Sequence, residues 1–247
     1  MNIRGFYKTS LIDYPGKVSS VVFTGGCNFK CGFCHNSDFA QCNTQTAGID
    51  PEEITAHLKK RQGIIDGIVI TGGEPAIHQD LSVLLDNIRK TAPEVSIKLD
   101  TNGSRPDILK KVLNENLIDY AAVDIKSSPD KYPVISGVPI ETDKISESIT
   151  LLKQSGINYE IRTTCVPDFM SEADALAIGE WIGPVKAYYL QQLVTQIKLL
   201  DPDYENKIPY TKEHLLLIKD IISRFSNHTA IRGLYPCKAI LFFIDHS

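Results

Sequence analysis

Short apolar runs alternate with amphipathic stretches along most of the chain. The first pair is Val18–Thr24, which is rich in β-branched residues, and Pro51–Arg61, a proline-led segment that Asp50 precedes as an N-cap. The second pair is strand-like Gly67–Thr71 and then His78–Lys90, whose leucines and isoleucine recur at helical spacing. The pattern predicts strands and helices that follow one another in turn.

Four further pairs repeat this alternation. The predicted strands are Val95–Thr101, Tyr120–Lys126, Ile157–Thr164 and Val185–Gln191, and the predicted helices are Pro106–Asn114, Asp143–Gln154, Ser171–Ile182 and Thr211–Arg224. Six strand-then-helix units predict an α/β fold with a parallel sheet and covering helices. The strands are almost continuously apolar, as expected when both faces of a sheet are covered. Periodicity alone does not separate an open sheet from a barrel.

Composition narrows the class of protein. The 247 residues are 43% hydrophobic and 23% charged, as in ordinary globular proteins. A formal net charge of −4 argues against nucleic acid as the main partner. No apolar run approaches the roughly 18 residues that span a bilayer, and the first twenty residues lack a signal-peptide core. The apolar residues 241–244 are expected to form a buried strand or packing tail.

The chain's most informative chemistry follows its first predicted strand. Cys27, Cys31 and Cys34 are spaced by four and three residues. Three thiolates at this spacing can hold a 4Fe–4S cluster and leave one iron open to a small chelating ligand. The alternative is zinc, which needs four ligands, with His35 as the candidate fourth. A neighbour of Cys34 is poorly placed to join it on the same tetrahedral ion.

The other three cysteines, Cys42, Cys165 and Cys237, are scattered singly. Free cysteine most often behaves as a small buried hydrophobic residue, so we interpret these three as packing residues and not as ligands of a second cluster. Free thiols without a secretion signal are typical of a reducing compartment, which predicts a cytoplasmic location.

The cysteine loop, with Phe33 before its last cysteine, resembles the signature of the radical S-adenosylmethionine enzymes. The resemblance implies a six-unit (βα)6 partial barrel with outer helices, one core domain over about residues 17–232, and short terminal extensions. It also implies that S-adenosylmethionine chelates the open iron and is cleaved reductively to methionine and a 5′-deoxyadenosyl radical. Phe33 would lie beside the adenine, and His35 on the adenine side of the loop.

Two flanking segments are similar to those of the activases that install a glycyl radical in a partner enzyme. They are Cys34–Asp38, which reads Cys-His-Asn-Ser-Asp, and Ser10–Lys17, which contains Asp-Tyr-Pro-Gly. The second is closest to the activating proteins of anaerobic ribonucleoside-triphosphate reductase. The resemblance implies that reductase as partner and a flavodoxin or ferredoxin as electron donor. The cofactors would carry the chemistry, so no protein residue is assigned as a catalytic acid or base.

Polar motifs follow the predicted strands at the end where barrel enzymes place their chemistry. Gly72 and Gly73 allow a close approach of backbone to a ligand, and the carboxylate of Glu74 can accept hydrogen bonds from an ammonium. Taken alone, the segment is typical of a simple Gly-Gly turn. The resemblance implies that it receives the amino group of S-adenosylmethionine.

The next two strands end in Asp100-Thr101-Asn102 and in Asp124-Ile125-Lys126. Alone, the first reads as an Asn-Gly turn. The resemblance assigns Asp100, Asn102, Asp124 and Lys126 to the S-adenosylmethionine site, with the Asp124 segment reaching the methionine carboxylate or the ribose. It also implies a monovalent cation bound by Asp100, Thr101 and Asp124.

Two residues on later strands complete the predicted site. Arg162 could bind the methionine carboxylate bidentately, or could form a salt bridge with Glu160 or another strand-end acid. Gln191 lies where some activases place a histidine near the adenosyl group, and the resemblance assigns it to the cofactor.

Three functions remain open on sequence alone. The first is an activase, with residues 127–139 as the longest loop at the cofactor end and a lid over a partner peptide. The second is a radical enzyme that acts on a small molecule or another peptide. The third is a metal-cluster protein without catalysis.

Overall fold

A single eight-stranded sheet organises the protein. The computed structural model describes residues 1–42 and 48–234. The strands are β1 Ile3–Ser10, β2 Ser19–Thr24, β3 Gly67–Gly72, β4 Ser96–Thr101, β5 Tyr120–Asp124, β6 Asn158–Cys165, β7 Tyr188–Gln192 and β8 Thr229–Arg232. The helices are α1 Ser37–Ala40, α2 Pro51–Lys60, α3 Leu81–Thr91, α4 Pro106–Asn114, α5 Tyr132–Ser136, α6 Thr142–Ser155, α7 Glu172–Ile182 and α8 Lys212–Ile222.

The strands lie in the sheet in chain order, and every pairing from β2 to β8 is parallel. All six predicted strand–helix units are present, so the predicted fold class is confirmed. Within the described chain no pairing joins β1 to β8, and the sheet is open between these edges. The predicted packing tail at 241–244 and Cys237 lie outside the described residues.

Two strands were missed by the sequence pattern. β1 pairs antiparallel with β2 and is half-exposed, with Arg4, Gly5 and Lys8 interrupting any apolar run. β8 has only four residues, all partly buried. Both are edge strands, where a continuous apolar signal is not required.

The two faces of the sheet carry different cores. The larger core fills the space between the sheet and the helices and includes Val22 of β2. The smaller lies on the inner face and consists of Tyr14, Val21, Phe23 and Val69, with Phe39 and Tyr120 packed against it. Successive side chains of a strand point to opposite faces, which is why Val21 and Val22 belong to different cores.

The segment between β1 and β2 closes the barrel at the amino-terminal ends of its parallel strands. Tyr14 is 4% exposed within the inner core. The carbonyl oxygen of Asp13 accepts a hydrogen bond from Lys98 Nζ at 2.8 Å. The Asp-Tyr-Pro-Gly motif therefore plugs the end of the barrel opposite the cysteines.

The predicted loop 127–139 is largely ordered, which corrects its description as a loop. It contains a 3₁₀ turn, Pro129–Lys131, followed by α5, and Gly137 caps that helix in the left-handed conformation. Tyr132 and Ile135 are buried, so the segment packs onto the protein instead of standing free. No helix in the described residues is long and apolar enough to cross a membrane.

Candidate cofactor site at the carboxyl ends of the strands

The three predicted cluster ligands lie on one short loop directly after β2. Cys31 is buried, and Cys27 and Cys34 are partly buried. The Phe29 amide donates a hydrogen bond to Cys27 Sγ at 3.3 Å, and the Cys34 amide donates to the Cys31 carbonyl at 3.1 Å. These two bonds hold the chain in a tight turn at the mouth of the barrel.

Burial determines the state of these thiols. It raises the pKa of Cys27 to about 12 and that of Cys31 to about 11, and it also raises the pKa of Cys34. The Lys126 ammonium opposes the shift at Cys31 and Cys34 without cancelling it. Buried thiols of this kind ionise when a metal supplies the positive charge. The donor set therefore fits an iron–sulfur cluster.

Residues 1–42 and 48–234 contain no group of side chains that would bind a zinc ion. No three His, Cys, Asp or Glu side chains there lie close enough together to hold one metal ion. A cubane accepts more widely spaced thiolates, because each binds a different iron. His35 is exposed beside the last cysteine of the loop.

Gly72, which ends β3, and Gly73 pack against the start of the cysteine loop, and their contact with S-adenosylmethionine remains a prediction. The amides of Gly73 and Glu74 donate to the carbonyls of Thr24 and Gly26 at 2.9 and 2.8 Å. A Cβ on Gly73 would lie 2.0 Å from the Gly26 oxygen, and one on Gly72 would lie 2.2 Å from the Thr24 nitrogen. Only glycine permits this close backbone contact.

The Glu74 side chain joins the ends of β3 and β4. Its Oε1 accepts hydrogen bonds from the Ala76 amide at 3.0 Å and the Thr101 hydroxyl at 2.6 Å, and its Oε2 accepts from the Asn102 amide at 2.7 Å. Burial raises the Glu74 pKa to about 7, although these bonds favour the ionised form. A carboxylate can accept about four hydrogen bonds, which leaves one acceptor position for a ligand.

Asn102 anchors the cysteine loop from β4. Its side-chain Nδ2 donates to Asn28 Oδ1 at 2.9 Å, and Asn28 Nδ2 donates to Ser104 Oγ at 2.7 Å. Ser104 Oγ in turn donates to Asn102 Oδ1 at 2.6 Å, which closes a ring of three side chains. Sequence analysis missed Asn28 and Ser104, because a polar side chain beside a motif carries no signal of its partner.

Five charged side chains of alternating sign form a row on the inner face of β4, β5 and β6 and the residues that follow. The contacts in order are Lys98 Nζ–Asp100 Oδ1 at 2.7 Å, Asp100 Oδ2–Arg162 Nη1 at 3.1 Å, Arg162 Nε–Asp124 Oδ1 at 2.7 Å and Asp124 Oδ2–Lys126 Nζ at 3.4 Å. Register explains the central pair, since Asp124 and Arg162 are opposite each other on β5 and β6. We call this set the charge row.

The charge row shows which strand-end acids form salt bridges with Arg162. Its salt bridges are to Asp100 and Asp124, and Glu160 is more distant at 3.9 Å. Burial would raise the pKa of Asp124, but the charges of Arg162 and Lys126 hold it well below its ordinary value. Asp124 is thus ionised throughout the neutral range. Binding of the methionine carboxylate by Arg162 remains a prediction.

Lys126 ends the charge row beside the cysteine loop. Its ammonium lies 5.9 Å from the centre of the Phe33 ring. The Phe33 ring is 5% exposed and packs at a tilt against Tyr204, with 6.2 Å between ring centres. Asp124 holds the Lys126 pKa above its ordinary value against the effect of burial. The row therefore presents a cation at the cofactor end.

The remaining predicted residues are near this centre but have other partners. The oxygens of Asp100 and Asp124 face the cations of the charge row, and the Thr101 hydroxyl donates to Glu74. The monovalent cation at these three residues stays a prediction. Gln191 is partly buried on β7, in register with Thr164 and Arg232.

A segment that sequence analysis did not assign covers the cysteine loop. Residues 198–207, here called the strap, follow β7. The Asp201 amide donates to the Gly32 carbonyl at 3.0 Å, and a Cβ on Gly32 would lie 2.3 Å from the Tyr204 ring. Lys198 pairs with Asp38 at 2.8 Å. The glycine between Cys31 and Phe33 signals a close contact, but it does not say with what.

The scattered cysteines differ from one another. Cys165 is fully buried, as predicted. The prediction for Cys42 is wrong: it is exposed, has a left-handed backbone with φ of 56°, and accepts a hydrogen bond from Asn2 at 3.6 Å. Cys42 follows α1 at a turn on the surface, where no core is available to cover it.

Comparisons with known proteins identify the family. The sequence model of the radical SAM superfamily matches residues 21–177. A protein of Methanocaldococcus jannaschii, provisionally named a glycyl-radical enzyme activating enzyme, is 34% identical over 240 residues, which are 94% of this chain and 96% of that protein. The pyruvate formate-lyase-activating enzyme of Streptococcus mutans is 30% identical over 71% of this chain and 69% of its own length.

Solved structures support the fold. Streptococcus suis SuiB bound to S-adenosylmethionine covers 85% of this chain with a TM-score of 0.62 and 18% identity, and the chain spans about half of that protein. A domain of the pyruvate-formate lyase-activating enzyme of Bacteroides vulgatus covers 68% of this chain and 99% of its own length, with a TM-score of 0.52 and 16% identity. The protein is therefore a radical SAM enzyme of the glycyl-radical activating group, with a 4Fe–4S cluster and S-adenosylmethionine as its cofactors.

Proposed function

We propose that the protein is the activase of a glycyl radical enzyme, with anaerobic ribonucleoside-triphosphate reductase as its partner. The observation that carries the proposal is the three-cysteine loop held at the open mouth of the barrel by Glu74 and Asn102. The match to an activating enzyme over nearly the whole of both chains supports it. We place the enzyme in the cytoplasm, where a reducing environment preserves the cluster.

The cofactors supply the chemistry when bound. Reduced by a flavodoxin or ferredoxin, they would supply reductive cleavage of S-adenosylmethionine and abstraction of a glycine Cα hydrogen, with methionine and 5′-deoxyadenosine as the products. The protein itself binds and orients the cofactors and excludes water from the site.

Each part of the site has a proposed role in that binding. Cys27, Cys31 and Cys34 hold the cluster. The free acceptor position on Glu74 takes the amino group, and Lys126 takes the carboxylate, to which it presents a largely buried ammonium. The adenosyl group lies along Phe33, His35 and Gln191, and Asp124 reaches the ribose.

The partner's glycine loop enters at the α5 side of the mouth in this proposal. Pro133, Val134, Val138 and Ile140 line a shallow apolar depression there, and Val134 is 69% exposed. The segment is tied to the cysteine loop, since the Lys30 amide donates to the Ser136 carbonyl at 2.7 Å. A peptide bound here would lie close to the cofactor.

The test uses the cluster-loaded protein with S-adenosylmethionine, a reduced flavodoxin and the purified reductase. Electron paramagnetic resonance should show a glycyl doublet on the reductase, and 5′-deoxyadenosine should form in equal amount. The Cys31→Ala variant of this protein and a reductase whose radical glycine is replaced by alanine are the controls. Cofactor cleavage that never yields a protein radical, but consumes an added nucleotide or other small molecule, would refute the activase proposal.

A further inference from the structure

Lys98 is a fully enclosed lysine to which the proposed chemistry gives no role. It projects from the middle of β4 into the barrel and is 2% exposed. Lysine is rarely buried to this extent, because removing an ammonium from water is unfavourable unless a charge or dipole compensates. The burial of the Lys98 ammonium therefore needs an explanation.

The partners of Lys98 lie in two directions. Toward the cofactor end, its ammonium is 2.7 Å from Asp100 Oδ1. Toward the closed end of the barrel, it donates to the carbonyl of Asp13 at 2.8 Å. Asp13 precedes Tyr14, which fills the base of the barrel. Lys98 thus connects the plug to the charge row and does not itself reach the barrel mouth.

Asp100 passes the constraint on. One of its oxygens faces the Lys98 ammonium, and the other lies 3.1 Å from Arg162. The Nε of Arg162 in turn lies 2.7 Å from Asp124. Each group is thus in contact with the one before it, and the last carboxylate faces Lys126.

The charge balance of the row also depends on Lys98. Three cations, Lys98, Arg162 and Lys126, face two carboxylates, and Glu160 nearby is neutralised separately by Arg232. Within the row itself the cations exceed the carboxylates by one, which favours an anionic group beside Lys126 at its cofactor end. Without Lys98 that excess disappears, and Asp124 and Asp100 fully neutralise the two remaining cations.

We propose that Lys98 is a positioning residue that sets the affinity of the site for the carboxylate of S-adenosylmethionine through Asp100 and Arg162, without contacting it. The proposal rests on cofactor binding at this site, which is part of the proposed function, but not on the identity of the partner enzyme. Failure to activate any reductase would therefore leave it standing.

The test compares Lys98→Met, a neutral substitution of similar length, with Lys98→Arg. Calorimetric titration of the cluster-loaded protein with S-adenosylmethionine should show affinity about tenfold weaker in Lys98→Met, which corresponds to roughly 1.4 kcal/mol. Lys98→Arg should recover most of it. Iron content should be unchanged, and reductive cleavage should show a raised KM with a smaller change in kcat.

Two further variants keep the test decisive. Lys153→Met removes a lysine that donates to the Ile182 carbonyl on the outer layer, and it should leave the affinity unchanged. The double variant Lys98→Met with Asp100→Asn removes the buried pair as neutral side chains, so that it folds even where the single change does not. It should bind no more weakly than Asp100→Asn alone. Affinity of the wild-type value in Lys98→Met, with only the melting temperature lowered, or a double variant that binds more weakly than Asp100→Asn alone, would overturn the proposal.

Discussion

Glu74 holds two strand ends at a fixed separation by accepting three hydrogen bonds inside the protein. It is 1% exposed, and the folded protein raises its pKa from 4.5 to about 7. Below both values the carboxyl is protonated in the folded and the unfolded chain alike. Between them the unfolded chain ionises first, so stability is lost as the pH rises toward 7.

We predict a matching pH dependence for the cluster-free protein. Between pH 5 and pH 8 the free energy of unfolding of wild type should fall by about 2 kcal/mol relative to Glu74→Gln, because one pKa unit corresponds to about 1.4 kcal/mol. Urea unfolding at several pH values measures the difference. The variant loses the hydrogen bond from the Asn102 amide at every pH. The comparison therefore uses the change of the unfolding free energy with pH and not its absolute value. Parallel slopes for the two proteins would contradict the prediction.

The cysteines allow a second prediction at this scale. Anaerobic reconstitution should give about four irons per chain, since three thiolates support one cubane. Replacing any of Cys27, Cys31 or Cys34 by alanine should abolish the cluster absorbance. Cys42→Ser and Cys165→Ala are the controls and should keep full iron content. A content near eight irons, reduced by either control, would reveal a second cluster.

Sequence was most informative where residue type and spacing are chemically specific. The three cysteines and the strand-end motifs meet at one place because parallel strands bring their carboxyl ends together. The sequence did not indicate which side chains contact one another. The role of Gly73 depends on the Gly26 carbonyl, 47 positions away, and Lys98 on Asp13, 85 positions away, and no local pattern encodes such contacts.

At the scale of elements, α5 supports the cysteine loop from outside. The short helix ends at Gly137, which has φ of 68° and whose added Cβ would lie 2.5 Å from the Lys30 carbonyl oxygen. Gly156 ends α6 in the same conformation, with φ of 79°, and has no neighbour within 4 Å. The two glycines differ only in their surroundings, which makes them a matched pair.

We predict that Gly156→Ala costs about 1 kcal/mol of stability, the usual cost of alanine in the left-handed region. Gly137→Ala should cost more, because α5 must move away from Lys30 to admit the methyl group. It should also lower iron retention on desalting, which Gly156→Ala should not. Thermal unfolding and iron analysis measure both effects. Equal behaviour of the two variants would show that α5 does not support the loop.

Element prediction succeeded where amphipathic periodicity was strong. α4 has the bounds that the sequence predicted, and Asp50 caps α2 as expected, accepting from the Glu52 amide. The predicted strand at Val185 begins three residues later at Tyr188, because Val185 makes only an isolated bridge with Ser226. Apolar character alone could not separate a bridge from a strand.

At the scale of the whole molecule, β8 is tied to the barrel by an ion pair whose carboxylate is fully buried. Arg232 of β8 binds Glu160 of β6 with both nitrogens at 2.9 Å and lies 3.5 Å from the centre of the Tyr189 ring. Glu160 is fully buried and also accepts from the Tyr120 hydroxyl. Arg105 and Asp107 form an equally bidentate pair on the surface.

We predict that Arg232→Ala destabilises the protein by about 2–3 kcal/mol, since it removes the principal partner of a buried carboxylate that keeps the Tyr120 hydroxyl and the more distant Arg162. Arg105→Ala should cost about 1 kcal/mol or less, because exposed pairs contribute little. Urea unfolding at neutral pH compares the two. A cost for Arg232→Ala as small as that of the surface control would mean that Glu160 finds compensation elsewhere.

The strap has a consequence for how the enzyme is made. It joins the cysteine loop at Gly32 but is synthesised about 170 residues later. On the ribosome the three thiols therefore emerge and stay accessible long before Asp201 and Tyr204 exist to cover them. We expect iron and sulfide to be delivered during that interval, or through a strap that has swung away. The same covering would then slow oxygen damage, so that maturation and protection of the cluster depend on one segment that is synthesised late.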